Sequence, residues 1–177
     1  IKEQTVRLSG LMQNLLLLAR MDEGASQVQA ADFSLSDMLT AAMESFAQPM
    51  EAKHISLEAD VKPGITIHAD SGQMEQLLSI LLDNAVKYTN EGGSIWIRLQ
   101  KEDKKIRLSV QNTCETLPDT PPEKLFDRFY RGDTARTQRS GGYGIGLAVA
   151  RSIAEANRGT LQADYLPPDR ICFTAQF

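Results

Sequence analysis

Hydrophobic and polar residues follow two different periods along the chain. Apolar residues recur every three to four positions in four segments, which predicts helices over residues 1–23, 34 or 36 to 52, 70–89 and 143–157. Apolar and polar residues alternate in six others, which predicts strands over 55–61, 65–69, 95–99, 106–110, 160–165 and 171–177. The order of these elements predicts a domain of mixed α and β structure behind a separate first helix.

The first predicted helix is apolar over roughly half of its surface. These positions are Val6, Leu8, Leu11, Met12, Leu15, Leu16, Leu18 and Ala19. Nothing inside the segment covers them, so we expect the helix to pair with a partner helix in a dimer. Packing on the domain that follows is the alternative. The chain begins inside this helix, which favours a fragment of a longer protein.

Composition narrows the class of protein. The chain has 177 residues, 42% of them hydrophobic, which suits one domain with an appendage. The net charge of −4 argues against a nucleic-acid partner. No apolar run is long enough to span a bilayer, and no signal peptide is present. Cys114 and Cys172 lie far apart without metal-ligand spacing, which favours reduced cysteines over a disulfide or a zinc site.

The helix over 70–89 carries polar residues at the edge of its apolar stripe. Asn84, Lys87 and Tyr88 are three and four residues apart and therefore share one face. An amide oxygen beside an ammonium suits a metal-bound phosphate, because the oxygen ligates a hard cation and the lysine binds anionic oxygen. A helix end with a solvated lysine is the alternative.

A long segment from Asn112 to Gly142 interrupts the periodic pattern. It is rich in proline, glycine and basic residues, which is typical of a lid over a functional site. The run Gly141-Gly142-Tyr143-Gly144-Ile145-Gly146-Leu147 then opens the last helix. Glycines allow close approach to a ligand, and a helix N-terminus directs free N–H groups at it, which indicates an anion site. A flexible hinge is the alternative.

Together these segments resemble the ATP-binding domain of sensor histidine kinases, within the superfamily that includes gyrase, Hsp90 and MutL. The resemblance begins near Phe33 and continues to Phe177, and it includes the run Leu125-Phe126-Asp127-Arg128-Phe129-Tyr130-Arg131. It implies a Bergerat-type fold of the α+β class, a two-layer α/β sandwich whose mixed sheet is covered by helices on one face. Residues 29–177 would be the catalytic ATP-binding domain, with the ATP lid at about 112–142. Residues 1–28 resemble the second helix of the dimerisation and histidine-phosphotransfer domain, with a linker.

The resemblance also implies roles for individual residues. Asn84 corresponds to the N-box asparagine that ligates Mg²⁺ through ATP, and Asn112 stands at the adenine end. Phe126 and Phe129 match the F box, whose final arginine reaches the terminal phosphate. The implied nucleotide-binding residues are Asn84, Lys87, Tyr88, Asn112, Arg131, Gly142, Gly144 and Gly146.

Two positions depart from the family pattern. Ile80 stands one turn before Asn84, where the ATPase relatives carry the glutamate that activates water. Isoleucine cannot act as a base, so the sequence argues against a gyrase-like hydrolase. The G1 box, normally Asp-x-Gly-x-Gly, reads Asn112-Thr113-Cys114-Glu115-Thr116. Asn112 can still pair with adenine without a charge, but Cys114 and Thr116 are poor residues for positive φ.

The expected function is transfer of the ATP γ-phosphoryl group to a histidine upstream of this chain, with ATP and Mg²⁺ as cofactors. His54 and His68 lie at strand ends and are expected to be structural. The resemblance implies a homodimer through the N-terminal helix, a response regulator receiver domain as partner, and the cytoplasmic portion of a bacterial membrane-bound sensor. A degenerate, non-catalytic dimerising signalling domain and a gyrase/Hsp90/MutL-type ATPase remain the alternatives.

Overall fold

The computed structural model describes residues 1–24, 27–130 and 144–177, without the side chains of Glu3 and Arg7. The helices α1 to α5 span Lys2–Asp22, Leu35–Ser45, Ala47–Ala52, Ser71–Tyr88 and Gly146–Ala156. The strands β1 to β7 span Ala30–Ser34, Ser56–Val61, Thr66–Asp70, Ser94–Glu102, Lys105–Thr113, Thr160–Leu166 and Arg170–Gln176. A short 3₁₀ helix spans Pro122–Phe126.

Five strands form the main sheet, in the order β2-β4-β5-β7-β6. Strands β2 and β4 are parallel, and the other neighbours are antiparallel, so the sheet is mixed as the resemblance implied. Strand β1 was not predicted. It pairs with β3 in a separate two-stranded sheet, and its first three residues are exposed, so it lacks the apolar alternation that marks the other strands.

The core lies between the main sheet and helices α4 and α5. Alternate residues of β4 and β5 are buried on the helix-covered face, and the apolar stripe of α4 packs against them. The opposite face is more polar and carries Trp96, whose ring lies 4.4 Å from the guanidinium carbon of Arg170.

The segment predicted as one helix to Ala52 forms two helices. Ser34 caps α2, because its hydroxyl accepts a hydrogen bond of 3.1 Å from the main-chain N–H of Asp37. The helix is interrupted at Phe46, which is both the C-cap residue of α2 and the N-cap residue of α3. Pro49 lies in the first turn of α3. Proline has no N–H to donate one turn back, so it is tolerated at a helix start but not in a continuous helix.

An asparagine at the C-terminus of α5 joins that helix to the start of α4. Asp70 caps α4 by accepting from the N–H of Gln73 at 3.1 Å. The amide oxygen of Asn157 accepts from the N–H of Asp70, and its nitrogen donates to the side chain of Gln73, both at 2.9 Å. The two core helices are therefore fixed to each other by a buried polar network as well as by packing.

Helix α1 packs on the domain with one side and is uncovered on another. Leu18 is 3% exposed, and the amide of Gln76 donates to Asn14 at 3.1 Å. On this side, the helix packs on the domain that follows, as the alternative interpretation of the sequence predicts. The exposed apolar residues are Val6, Leu8, Met12, Leu15 and Leu16. Dimerisation through them stays a prediction.

Over residues 1–24, 27–130 and 144–177, no helix combines the length and the hydropathy needed to cross a bilayer.

Candidate functional site

The C-terminal end of α4 presents the three polar residues that the sequence singled out. Asn84 and Lys87 are half-buried, and Tyr88 is exposed. The ammonium of Lys87 lies 2.8 Å from Oδ2 of Asp83, one turn back along the helix. The sequence reasoning did not include Asp83, although an acidic residue four positions before a lysine on a helix is a recognisable signal. Within the described part of the chain, no residue forms a hydrogen bond with the side chain of Asn84.

The start of α5 lies against α4. A Cβ built on Gly146 would stand 3.4 Å from Cγ2 of Ile80, the residue one turn before Asn84. The N-cap residue of α5 is Ile145, and no side chain of residues 1–24, 27–130 and 144–177 caps the helix. The first N–H groups of a helix have no partner inside it, and the positive end of the helix dipole lies there. The arrangement therefore brings an uncapped helix N-terminus close to the polar end of α4.

Gly144 joins the glycine segment to the F box. Phe129 donates its main-chain N–H to the carbonyl of Gly144 at 2.8 Å. Gly144 has a φ of +71°, and a Cβ there would stand 2.7 Å from the carbonyl oxygen of Tyr130. Both the backbone conformation and the close approach therefore require glycine at this position. The other predicted phosphate-binding residues, Arg131 and Gly142, lie outside the described residues.

The last predicted helix begins later than the sequence suggested. Tyr143 lies outside the described residues, and Gly144 is not helical because of its positive φ. The described helix starts at Gly146.

The two phenylalanines of the F box have different environments. Phe126 is 7% exposed and packs edge-to-face on Phe173, with ring centroids 6.1 Å apart. Phe129 is 64% exposed and has a φ of +63°, which is unusual for a bulky residue. Phe126 thus anchors the segment in the core, whereas the main chain of Phe129 is hydrogen-bonded to Gly144.

Asn112 lies at the end of β5 on the helix-covered face, in line with the buried apolar residues of that strand. It is 1% exposed, and its amide nitrogen donates to the carbonyl of Thr113 at 2.9 Å. The hydroxyl of Thr113 donates to Asn90 at 2.9 Å, which ties the end of β5 to the turn after α4. The strand that carries Asn112 is therefore hydrogen-bonded to the turn that follows the polar end of α4.

The altered G1 box follows a path that needs no glycine. Neither Cys114 nor Thr116 is among the residues with positive φ. The N–H of Cys114 donates to the carbonyl of Asp169 at 2.8 Å, which continues the pairing beyond β5. Burial, and secondarily the charge of Asp169, raises the pKa of the Cys114 thiol, so the thiol stays protonated at neutral pH. The expected cost of Cys114 and Thr116 at positive φ does not arise.

The two histidines form surface contacts. Nδ1 of His68 lies 2.7 Å from Oδ1 of Asp32 across the β1–β3 pair, and Nδ1 of His54 lies 3.6 Å from Oε1 of Glu91. Both pairs are largely exposed. In the described part of the chain, no three His, Cys, Asp or Glu residues are grouped as a metal site. Structural roles for both histidines stay a prediction.

Comparisons with known proteins agree with this geometry. Residues 69–177 match the family described as histidine kinase-, DNA gyrase B- and HSP90-like ATPases. The match covers more than half of the chain, so the chain belongs to this family. Within the family, the relatives at about 30% identity are sensor histidine kinases, which supports a catalytic domain of that type.

One relative is the signal transduction histidine-protein kinase BaeS of Escherichia coli (strain K12). It is 33% identical over 169 residues, which are 96% of this chain and 36% of BaeS. The chain thus spans about a third of the length of that relative.

Two solved structures share the fold. Full-length ShkA in complex with AMPPNP has a TM-score of 0.83 and 24% identity, over 98% of this chain and 36% of that chain. The histidine kinase ThkA in complex with the response regulator protein TrrA has a TM-score of 0.71 and 21% identity, over 96% of this chain and 48% of that chain.

Proposed function

We propose that this chain is the ATP-binding catalytic part of a two-component sensor histidine kinase. It transfers the γ-phosphoryl group of ATP to the imidazole of a histidine outside this chain. The observation that carries the proposal is the packing of the start of α5 against Ile80, one turn before Asn84 on α4. A helix N-terminus, an ammonium and an amide oxygen are complementary to a metal-bound triphosphate.

The described residues fit a magnesium-bound triphosphate. The amide of Asn84 has no hydrogen-bond partner among described residues, so its oxygen is available to a hard cation. Lys87 is half-buried and paired with Asp83, which holds its ammonium on the same helix end. When bound, Mg²⁺ neutralises charge on the phosphates. Arg131 and Gly142 are assigned to the phosphates on the resemblance alone.

The adenine end would be held by Asn112. Its amide nitrogen is engaged with the carbonyl of Thr113, which leaves the amide oxygen as an acceptor for the adenine amino group. This contact would lack the charge of the family's aspartate. Tyr88, exposed next to Lys87, is placed beside the nucleotide on the resemblance.

Ile80 favours transfer to a histidine over transfer to water. Its side chain packs toward Gly146. By the resemblance, the ATPase relatives carry a glutamate at the position of Ile80. A hydrocarbon cannot take a proton from water, whereas a neutral imidazole is a nucleophile without help from such a base. Catalysis would then rest on positioning and on charge stabilisation by Lys87 and the start of α5.

The remaining assignments concern the whole protein. Residues 1–28 are proposed as the second helix of the dimerisation and phosphotransfer domain with its linker, and 29–177 as the catalytic domain. The uncovered apolar side of α1 supports homodimerisation. The complexes of ShkA with AMPPNP and of ThkA with a response regulator support an adenine nucleotide and a receiver domain as partners. The relatives are sensor kinases, and the resemblance assigns this chain to the cytoplasmic portion of a bacterial membrane-bound sensor.

Calorimetric titration with AMPPNP tests the nucleotide site. The wild-type chain should bind AMPPNP in the presence of Mg²⁺ and lose affinity when EDTA is added. Asn84→Ala should bind at least about tenfold more weakly, because it removes the proposed metal ligand. Ser79→Ala, an exposed position on the same helix, is the matched control and should bind as the wild type does. Unchanged affinity in Asn84→Ala would contradict the assignment, and no affinity in the wild type would favour the degenerate signalling domain.

A further inference from the structure

The side chain of Lys53 binds the C-terminal end of α4. Lys53 follows α3 as its C-cap residue, and its side chain is half-buried. Its ammonium donates to the carbonyl oxygens of Val86 at 2.8 Å, Lys87 at 3.2 Å and Thr89 at 2.7 Å. An ammonium has three N–H donors, so this geometry provides an acceptor for each of them.

These carbonyl groups lie at the end of the helix, where the helix itself supplies no hydrogen-bond donors for them. The last carbonyl groups of an α-helix have no intrahelical donor, and the negative end of the helix dipole lies there. Thr89 satisfies the carbonyl of Ala85 through its N–H at 3.0 Å and its hydroxyl at 2.5 Å. Lys53 supplies the donors for the following carbonyls. One side chain from a different helix therefore completes the end of α4.

The backbone of Lys53 reinforces the contact. Its carbonyl accepts from the N–H of Gly92 at 2.9 Å, in the turn that follows α4. Lys53 thus holds both the last turn of the helix and the chain that leaves it. Burial lowers the pKa of Lys53, and the nearby charge of Glu91 opposes this by raising it. The ammonium also lies where the helix dipole favours a positive charge.

We propose that Lys53 is a positioning residue for the nucleotide site. It fixes the last turn of α4, so that the side chains of Asn84 and Lys87 keep one orientation toward the start of α5. The carbonyl of Lys87 is itself one of the three acceptors, so the link to a phosphate-binding residue is a single hydrogen bond. This inference rests on the proposed function. Lys53 is not catalytic, because its donors are used by main-chain oxygens.

The geometry suggests a chemical rescue. Removing the side chain leaves main-chain carbonyl oxygens without their donor, and such a group can accept from a small ammonium ion. Lys53→Ala should therefore bind Mg-AMPPNP more weakly, and methylammonium should restore part of the affinity. Tetramethylammonium at the same ionic strength should not, because it has no N–H donor. A lysine that only stabilised the fold would show no such difference at a temperature where the variant is fully folded.

The main comparison uses Lys53→Met, which keeps the length of the side chain and removes the charge and the donors. We expect Mg-AMPPNP affinity to fall about tenfold, by the loss of preorganisation at Asn84 and Lys87. Hydrogen exchange of amides 84–89 should become faster. Lys62→Met is the matched control, because among the described residues the ammonium of Lys62 pairs only with the exposed carboxylate of Asp60. It should change neither measurement.

The outcomes separate the two proposals. If the wild type fails to bind nucleotide, the proposed function is wrong whatever Lys53 does. If the wild type binds and folded Lys53→Met binds equally well, the positioning role is wrong and the proposed function stands. Should Lys53→Met not fold, Lys53→Gln retains two donors without the charge. We expect Lys53→Gln to keep more affinity than Lys53→Ala, and equal affinity in these two variants would overturn the proposal.

Discussion

Gly146 at the start of α5 faces Ile80 on α4 so closely that a Cβ on the glycine would stand 3.4 Å from Cγ2 of the isoleucine. This contact packs the start of α5 one turn away from Asn84 on α4. By the resemblance, the ATPase relatives carry a carboxylate at the position of Ile80, so the contact places hydrocarbon where that base would be. A single packing contact thus bears on both the shape of the site and the reaction it favours.

Ile80→Val tests whether the side chain of Ile80 is structural. The substitution keeps Cγ2, which faces Gly146, and removes the Cδ1 methyl group from a half-buried side chain, so we expect a loss of about 0.5–1 kcal/mol in the free energy of unfolding in urea. Affinity for Mg-AMPPNP and release of phosphate from ATP should stay within about twofold of the wild type. Ser79→Ala, exposed on the same helix, is the control for stability. A tenfold loss of affinity with unchanged stability would instead assign Ile80 a direct role in binding.

Gly144→Ala should be strongly destabilising, both because of the positive φ and because of a steric clash. Gly64→Ala separates these two causes. Both glycines have nearly the same φ, +71° and +72°, but nothing lies within 4 Å of a Cβ on Gly64. Gly64→Ala therefore reports the backbone strain alone, about 1–2 kcal/mol. Gly144→Ala adds a clash with the carbonyl of Tyr130, which we expect to cost about 1–3 kcal/mol more in urea unfolding. Equal losses in the two variants would show that the F box moves away freely.

The sequence predicted those elements whose pattern is local. Strands β4 to β7 and helix α4 were found because their buried residues recur at the period of the element. Strand β1 was missed because its exposed residues carry no such pattern, and the break before α3 was missed although Pro49 marks it. The features that stayed hidden are contacts between distant segments. Asn157 and Asp70 are 87 residues apart, and no spacing rule connects them.

The same limit applies to the candidate site. Asn84, Lys87 and Tyr88 share a helix face, so their proximity followed from spacing. Lys53 could not be found in this way, because its acceptors are main-chain carbonyls 33 to 36 residues away. Candidate binding residues can be recognised in the sequence by their type and spacing. A residue such as Lys53, which holds them in place through main-chain carbonyls, can be recognised only in the folded structure.

Substitutions of Leu18 and Leu16 should show how α1 is attached to the domain. The side chain of Leu18 is buried and only 3% exposed, whereas Leu16 is 55% exposed. Leu18→Ala should release α1, seen as faster hydrogen exchange in residues 11–22, because it removes a buried anchor worth about 2–5 kcal/mol. Exchange in β4 and β5 should stay unchanged. Leu16→Ala should leave the attachment intact, and release of α1 by both variants would mean that the helix is not held by its buried side.

Asp22 contributes less to this attachment than Leu18 does. Its carboxylate pairs with the guanidinium of Arg128, but both side chains are about half exposed, and such pairs contribute about 0–1 kcal/mol. The hydrophobic contact, and not the ion pair, should therefore decide whether α1 stays docked.

The two cysteines lie on opposite faces of the main sheet. Cys114 continues the helix-covered row that contains Asn112, whereas Cys172 pairs with Gln111 of the alternate row. Burial raises the pKa of both thiols, with Asp169 adding to the effect at Cys114. Because the folded chain holds these protons more tightly than the unfolded chain, their contribution to stability is complete at neutral pH. It is lost as the pH rises through the raised pKa values.

Alkylation by iodoacetamide, followed by mass spectrometry, tests both the pKa shifts and the location of the adenine end. At pH 8 both thiols should react at least about tenfold more slowly than glutathione, because little thiolate is present, and the rates should still be rising above pH 9. Saturating Mg-AMPPNP should slow the reaction of Cys114 several-fold, since Cys114 follows Asn112 by two residues on the proposed nucleotide face. Cys172 is the internal control and should react at an unchanged rate. Equal protection of the two thiols would point to a general tightening of the fold, and protection of neither would remove Asn112 from the adenine site.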